Sequence, residues 1–386
     1  MENQVALAKE SNAEVLYLAF ELSHKKWKLG FSDGKTPQVR QVTICSGDLE
    51  ALRGEIQKAR RRFGLEESVS VRSCYEAGRE GFWLHRALEQ MGIDNQVVDA
   101  SSIEVNRRQR RAKTDRMDVE KLVRQLMRYW RGEHNVWSVV RVPSLEAEDN
   151  RQQHRALEVL KEERKQHRVR IQSLLFTQSI DVKVGPKFLA KLEQLRSWNG
   201  EPIPARMSER ITDEYHRLQL VETQIRELKA KQNEQLRTAH SEAALEKVRR
   251  LQRLMGLGLG SSWIFVMELF GWRQFQNRRE LAGAVGLSPT PYQSGDSSRE
   301  QGISRSGNRR IRKLLIEIAW AWLRFQPHSK LTGWYNERFA NGGKRMRRIG
   351  IVAMARRLVI DLWRYVERGI VPEGARLKAS ADGSSC

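Results

Sequence analysis

The chain has 386 residues, 40% of them hydrophobic and 30% charged, and a formal net charge of +22. That length is too great for one small core and implies two or three domains, while the charge calls for a polyanionic partner, nucleic acid before membrane. Three cysteines without a CxxC spacing argue against a zinc knuckle or a disulfide framework, and an acidic start with no apolar run of transmembrane length leads us to expect an intracellular protein.

Val15 to Phe20 is an apolar run of strand length that ends at Glu21. A second strand is predicted over Trp27 to Phe31, then a Ser32-Asp33-Gly34 turn and a third strand over Val39 to Ile44. Leu49, Leu52, Ile56 and Ala59 recur at helical spacing, so residues 47–63 read as a helix. A strand ending at Cys74 delivers Glu76, a helix runs from about Gly81 to Met91 with Gly92 as its stop, and a short strand follows at 95–99. Three meandering strands followed by strand–helix alternation indicate an α/β domain with a mixed sheet.

Lys113-Thr114-Asp115-Arg116-Met117-Asp118 then opens a helix whose apolar face is Val119, Leu122, Val123 and Leu126. Thr114 suits the N-cap. Asp115 and Asp118 share a helix face with Cβ atoms roughly 5–6 Å apart. The plainer reading is an acidic first turn that complements the helix dipole. The functional one joins these two acids to Glu21 and Glu76, because ligands of open α/β sheets bind outside the carboxyl ends of the strands. Four carboxylates gathered there repel one another unless cations sit between them. Hard oxygen donors favour Mg²⁺ or Mn²⁺ over zinc, and a pair of such ions about 3.5–4 Å apart suits phosphoryl transfer.

From Glu146 to about Ala239 charged residues dominate and glycine nearly vanishes. Ile211, Tyr215, Leu218, Val221, Ile225 and Leu228 step by three or four, as in a coiled-coil seam, and Leu157, Leu160, Ile171 and Leu174 suggest a partner helix. An antiparallel helical hairpin or a dimerisation arm follows, with a solvated spacer helix as the plainer reading.

Residues 246–386 carry 26 Lys/Arg against 11 Asp/Glu, most of the excess charge. The glycine-rich Leu254 to Ser262 stretch lacks the lysine of a P-loop. It fits a helix-hairpin-helix-like turn, either a plain tight turn or one whose N–H groups hold a phosphate. Tyr292 to Arg310, rich in glycine, serine and arginine, is expected as a mobile, basic loop. Helices are predicted over Ile311 to Phe325 and from about Gly350 to Arg368, the last preceded by the basic run Lys344-Arg345-Met346-Arg347-Arg348.

With these residues in view, nearly the whole chain resembles the IS110-family transposases, the IS110/IS1111 group of DEDD transposases. Phe20-Glu21-Leu22-Ser23-His24 stands where the family has a Gly-Ile-Asp-Val-Ser-Lys-like strand end. Tyr75-Glu76-Ala77-Gly78 looks like its Glu-x-Thr-Gly element. Lys113 to Asp118 is similar to its Lys-Thr-Asp-x-x-Asp motif, the most specific of the three. Gly286-Leu287-Ser288-Pro289, Gln293-Ser294-Gly295 and Ile303 to Asn308 match its C-terminal signature. Glu21 departs from the family's usual Asp by one methylene and keeps two oxygen ligands.

The resemblance implies an α/β N-terminal RuvC-like (RNase H-fold) domain over 1–145, a coiled-coil connection or helical hairpin over 146–245, and a mainly α-helical C-terminal transposase domain over 246–386. It implies a Mg²⁺ site (or Mn²⁺) at Glu21, Glu76, Asp115 and Asp118 and a nucleophilic serine, carried over to Ser294. The chemistry implied is site-specific strand exchange through a covalent phosphoserine link to DNA. A non-coding RNA would choose both donor and target DNA. A homo-dimer or homo-tetramer in the bacterial cytoplasm, associated with the nucleoid and without membrane contact, completes the expectation.

On this reading Arg299, Arg305 and Arg309 would neutralise charge developing on the phosphate, and Lys113, Arg310, Lys344, Arg345, Arg347 and Arg348 would bind nucleic acid. Ser297, Ser298, Ser304 and Ser306 are rival hydroxyls whose plainer role is turn and cap chemistry. The acids and Ser294 lie far apart in sequence, so a composite site is required, within one subunit or across two. One alternative is a RuvC-like metal-dependent nuclease, such as a junction resolvase, that never links to DNA. Another is a non-catalytic nucleic-acid-binding protein whose affinity falls steeply with salt.

Overall fold

A computed structural model describes residues 14–103, 115–239, 242–294 and 297–378. The chain divides into two compact units, Met1–Val142 and Pro143–Cys386. No helix of the described residues is long and apolar enough to cross a membrane.

The first unit is built on a five-stranded mixed sheet. Its strands are β1 (Val15–Leu22), β2 (Lys26–Ser32), β3 (Arg40–Cys45), β4 (Ser70–Glu76) and β5 (Asp94–Val98). Their spatial order is β3-β2-β1-β4-β5. The first three form an antiparallel meander, while β4 and β5 join β1 in parallel. Parallel neighbours need a crossover, supplied by α1 (Leu49–Phe63) and α2 (Trp83–Gln90). Helix α1 begins where Asp48 accepts from the Ala51 N–H and ends at Gly64, whose φ of 66° only glycine adopts readily.

β1 is central and buried on both faces, which is why it reads as a continuous apolar run. Leu16, Leu18 and Phe20 face α1 and α2 with Val71, Tyr75, Leu52, Ile56, Leu84 and Leu88. Val15, Tyr17 and Ala19 face the other side with Cys74, where α3 (Asp115–Trp130) lays down Val119, Leu122, Val123 and Leu126. Complete burial contributes about 1.5–3 kcal/mol for each large apolar side chain, so the alternation along β1 fixes which residues meet α3. Glu76 is the last residue of β4 itself rather than lying past a strand.

The second unit opens with α4 (Leu145–Asp149) and α5 (Gln152–Phe176), continues through α6 (Phe188–Leu192), and turns back along α7 (Ala205–Thr238). Leu157 packs on Val221 and Ile225, whereas Ile171 and Leu175 pack near Ile211, Tyr215 and Leu218. Rising numbers on α5 meet falling numbers on α7, so the two run antiparallel. His167 pairs with Glu214 at 2.6 Å, and Arg168 reaches Glu222.

The remaining helices are α8 (Ala243–Gln252), α9 (Leu259–Phe265), α10 (Arg278–Ala284), α11 (Arg309–Phe325), α12 (Lys330–Tyr335) and α13 (Lys344–Arg368). They share one core, in which Trp263, Phe265, Phe270, Trp322 and Leu358 are buried. Two expectations are corrected here. The supposed mobile loop forms an antiparallel hairpin, β6 (Pro289–Ser294) and β7 (Ser297–Ile303). The last helix begins at Lys344, not Gly350, so the basic run is helical. Gly343 enters it in extended conformation, and the charges of the run do not oppose helix propensity, only the dipole.

Candidate functional site

Two places bring chemistry-bearing residues together. The first is the carboxyl edge of the sheet. β1 and β4 pair in the register Phe20–Tyr75, so Glu21 and Glu76 follow one step on, at the same level of neighbouring parallel strands. Alternation puts both on the α3 face, Glu21 two beyond Ala19 and Glu76 two beyond Cys74. Helix α3 runs back along that face. Met127 lies near Ser32, opposite Tyr17 at the start of β1, with Oγ–Sδ 3.6 Å. Val119 and Val123 lie over Gly30, opposite Ala19, where an added Cβ would come within 3.2 and 3.0 Å of them. The start of α3, with Asp115 and Asp118, therefore lies toward the strand ends that carry Glu21 and Glu76.

Lys113 and the side chain of Asp115 lie outside the described residues, whereas Asp118 is half-buried. Among the described residues, no three His, Cys, Asp or Glu come close enough to hold a metal ion. The donor set of Glu21, Glu76 and Asp118 is all hard oxygen and fits Mg²⁺ or Mn²⁺ in kind. Cys74, beneath this edge, is fully buried, and burial pushes its thiol far up, so it is no rival ligand or nucleophile.

The second place is the neck of the β6–β7 hairpin. Sequence segments 284–288 and 304–308, some twenty residues apart, become one structure. Ser304 N–H donates to Ser288 O at 2.9 Å, Arg305 N–H to Gly286 O at 3.2 Å, and Asn308 N–H to Ala284 O at 2.9 Å. Arg312 clamps the pair from α11, its Nη1 donating to Val285 O and Ser306 O. Gly286 (φ 67°) and Gly307 (φ 80°) sit where these segments touch. A Cβ on Gly286 would strike Ser306 O, and one on Gly307 would strike Ala284 O. Ser294 is the last residue of β6 and pairs with Ser297 across the hairpin. Its side chain and that of Arg299 lie outside the described residues.

Gly286→Ala or Gly307→Ala should each cost about 3 kcal/mol or more, combining left-handed strain with overpacking. Gly283, in α10, has open space around it, and Gly283→Ala should be neutral or up to about 1 kcal/mol stabilising. Urea denaturation of the three proteins checks the contrast; equal effects would mean the neck is not tightly packed.

Beneath the neck lies a buried carboxylate that sequence reading missed. The helix after α9 widens by one residue over Val266–Phe270, with Gly271 N–H donating to Val266 O at 2.7 Å. Glu268 in that turn is 1% exposed. It accepts from Arg155 Nε at 2.9 Å and Asn308 Nδ2 at 3.0 Å, and pairs with His154 Nε2 at 2.9 Å. Burial pushes its pKa up, but the hydrogen bonds and charges of His154 and Arg155 outweigh that and hold the carboxyl far below the usual range. Asn308 Oδ1 meanwhile caps α11, accepting from the Arg310 and Ile311 N–H groups. A lone acid inside the apolar run Trp263 to Phe270 was the available signal.

The expected nucleic-acid residues divide. Arg305, Arg309, Lys344, Arg345, Arg347 and Arg348 are exposed, while Arg310 is tied to Glu158 at 2.7 Å.

A family model described as "Transposase IS116/IS110/IS902 family" matches residues 248–332, which include the neck and the hairpin. "Putative transposase y4rJ" of Sinorhizobium fredii is 38% identical over 376 residues, covering 94% of this chain and 94% of that protein. "Putative transposase y4qE" of the same organism is 29% identical over 73% of this chain and 65% of its own length. A transposase for insertion sequence element IS1328 of Yersinia enterocolitica is 25% identical over 33% of this chain and 37% of that protein.

Proposed function

Because the chain belongs to the IS116/IS110/IS902 family of transposases, we propose that it cuts and rejoins DNA through a covalent phosphoserine at Ser294, with Glu21, Glu76, Asp115 and Asp118 holding Mg²⁺ or Mn²⁺. The observation that carries this reading is the β1–β4 register, which sets Glu21 and Glu76 level on the face where α3 begins. The meander followed by parallel strands supports a RuvC-like domain, and the antiparallel α5–α7 pair supports a coiled-coil connection.

An ion held by these carboxylates would polarise the scissile phosphate and ease deprotonation of the attacking hydroxyl. Ser294 Oγ loses its proton and bonds to phosphorus, while the bond from phosphorus to one sugar oxygen breaks and that oxygen leaves protonated. A sugar hydroxyl of the other DNA reverses the sequence, which conserves the phosphodiester without an energy source. The hairpin tip carries the nucleophile on a neck stiff enough to hold it, and Arg305 and Arg309 offset phosphate charge. A guide RNA selects the DNA partners. Exposed Val159, Val169 and Leu220 on the α5–α7 pair support self-association into a dimer or tetramer. The protein works at the nucleoid of a bacterial cytoplasm.

The test is to incubate the intact protein with DNA bearing its own element's ends and the matching RNA. With Mg²⁺ a detergent-resistant protein–DNA adduct is expected, abolished by chelation. Metal-dependent nicking with no adduct would instead establish the hydrolytic nuclease, which family membership does not favour.

A further inference from the structure

The second unit contains an open groove of about 1890 Å³ between α13, the start of α10, the base of the β6–β7 hairpin and the segment 370–373. Its described lining carries ten Lys/Arg, among them Arg278, Arg279, Arg348, Arg356 and Arg364, against two carboxylates. One of those, Glu373, is engaged by Lys330 at 2.7 Å. Between the cations the groove shows Met346, Ile349, Ile370 and Val371, which are 46, 47, 52 and 40% exposed.

We propose that this groove holds an unpaired DNA strand beside the hairpin that bears Ser294. The inference rests on the reading of the protein as a DNA strand-transfer enzyme. A cationic wall alone would suit any polyanion. The apolar residues narrow the choice, because a duplex turns phosphates and sugars outward and hides the faces of its bases. An unpaired strand offers both: phosphates for the arginines and flat, apolar base faces for the floor. DNA is favoured over RNA because a 2′-hydroxyl is read by acceptors as well as donors, and the lining is almost wholly donors and hydrocarbon. Pro289 and Ile303, the pair that closes the base of the hairpin, also line the groove. A strand lying in it runs past the neck, from which about five residues of β6 lead to Ser294, roughly 17 Å at strand rise.

The test is fluorescence anisotropy of the full chain with labelled oligothymidylate, a mixed-sequence duplex of equal length and oligouridylate. I349S/I370S, at two exposed positions, should weaken oligothymidylate about tenfold and leave the duplex unchanged. R348Q/R364Q should lower the salt slope for oligothymidylate by roughly 1.4, about 0.7 for each phosphate no longer neutralised. Equal weakening of strand and duplex in I349S/I370S, or no weakening of either, would overturn the proposal, as would oligouridylate binding tighter than oligothymidylate. Floor-dependent strand binding without any adduct would sink the transposition chemistry alone. Adduct formation with floor-independent binding would sink the groove alone.

Discussion

Ser294→Ala protein should bind DNA as the parent does, form no covalent adduct, and lose strand exchange by a factor on the order of 10⁶, the scale seen when an enzyme loses its nucleophile. The neck geometry narrows the rivals. Ser304 and Ser306 belong to the paired segment, where Ser306 Oγ donates to Ser304 Oγ at 3.2 Å and Ser304 N–H is bound to Ser288 O. They are committed to holding the hairpin. Ser297 is the serious competitor because it is the cross-strand partner of Ser294. Ser297→Ala should keep the adduct. Detergent gels of the two variants with end-labelled DNA decide the matter, and an adduct that persists in Ser294→Ala and vanishes in Ser297→Ala would move the role to Ser297.

Glu268→Ala should destabilise the second unit by about 3–5 kcal/mol, the range for removing one partner of a buried ionic cluster. The change leaves His154, 2% exposed, and Asn308 Nδ2 without their acceptor; Arg155, 35% exposed, can turn to water. Glu268→Gln keeps the shape and one acceptor and should cost less. The pH dependence follows from the depressed carboxyl. A group whose folded pKa lies below its unfolded one stabilises above the unfolded value, about 4.3 for Glu, and loses that contribution as pH falls through the folded value. Parent protein should therefore lose stability below about pH 4.3 more steeply than Glu268→Gln. Parallel pH profiles in urea melts would show that the carboxylate is not charged in the fold.

Much of the first unit was legible because each of its elements is amphipathic at its own period. β1 was visible as an apolar run, and α1 and α3 as stripes at three- and four-residue steps; their ends shifted by only a few residues. The four acids could be named from the sequence, but that β1 and β4 bring Glu21 and Glu76 to one level could not, since register depends on strands some fifty residues apart. The β6–β7 hairpin was missed for a different reason. Pro, Gly and Glu are depleted in strands, so Pro289, Pro291, Glu300 and Gly302 hid the two strands in which they stand. The start of α13 was missed because Lys344 to Ile349 are all exposed, so no apolar stripe marks that turn. Glu268 and the arginines of the groove acquire meaning only when helices distant in sequence come together.

Helix α5, about 37 Å long at 1.5 Å per residue, packs along its length on α7 and meets the helices beyond that pair through its first turns, where His154, Arg155 and Glu158 grip Glu268 and Arg310. Its far end has a separate small core around Phe188 and Tyr215. Such a beam, clamped at the root and loaded at the tip, trades travel for force. A load on that far end would reach the clamp multiplied by the length of the lever, at a carboxylate on which the serine hairpin's footing depends.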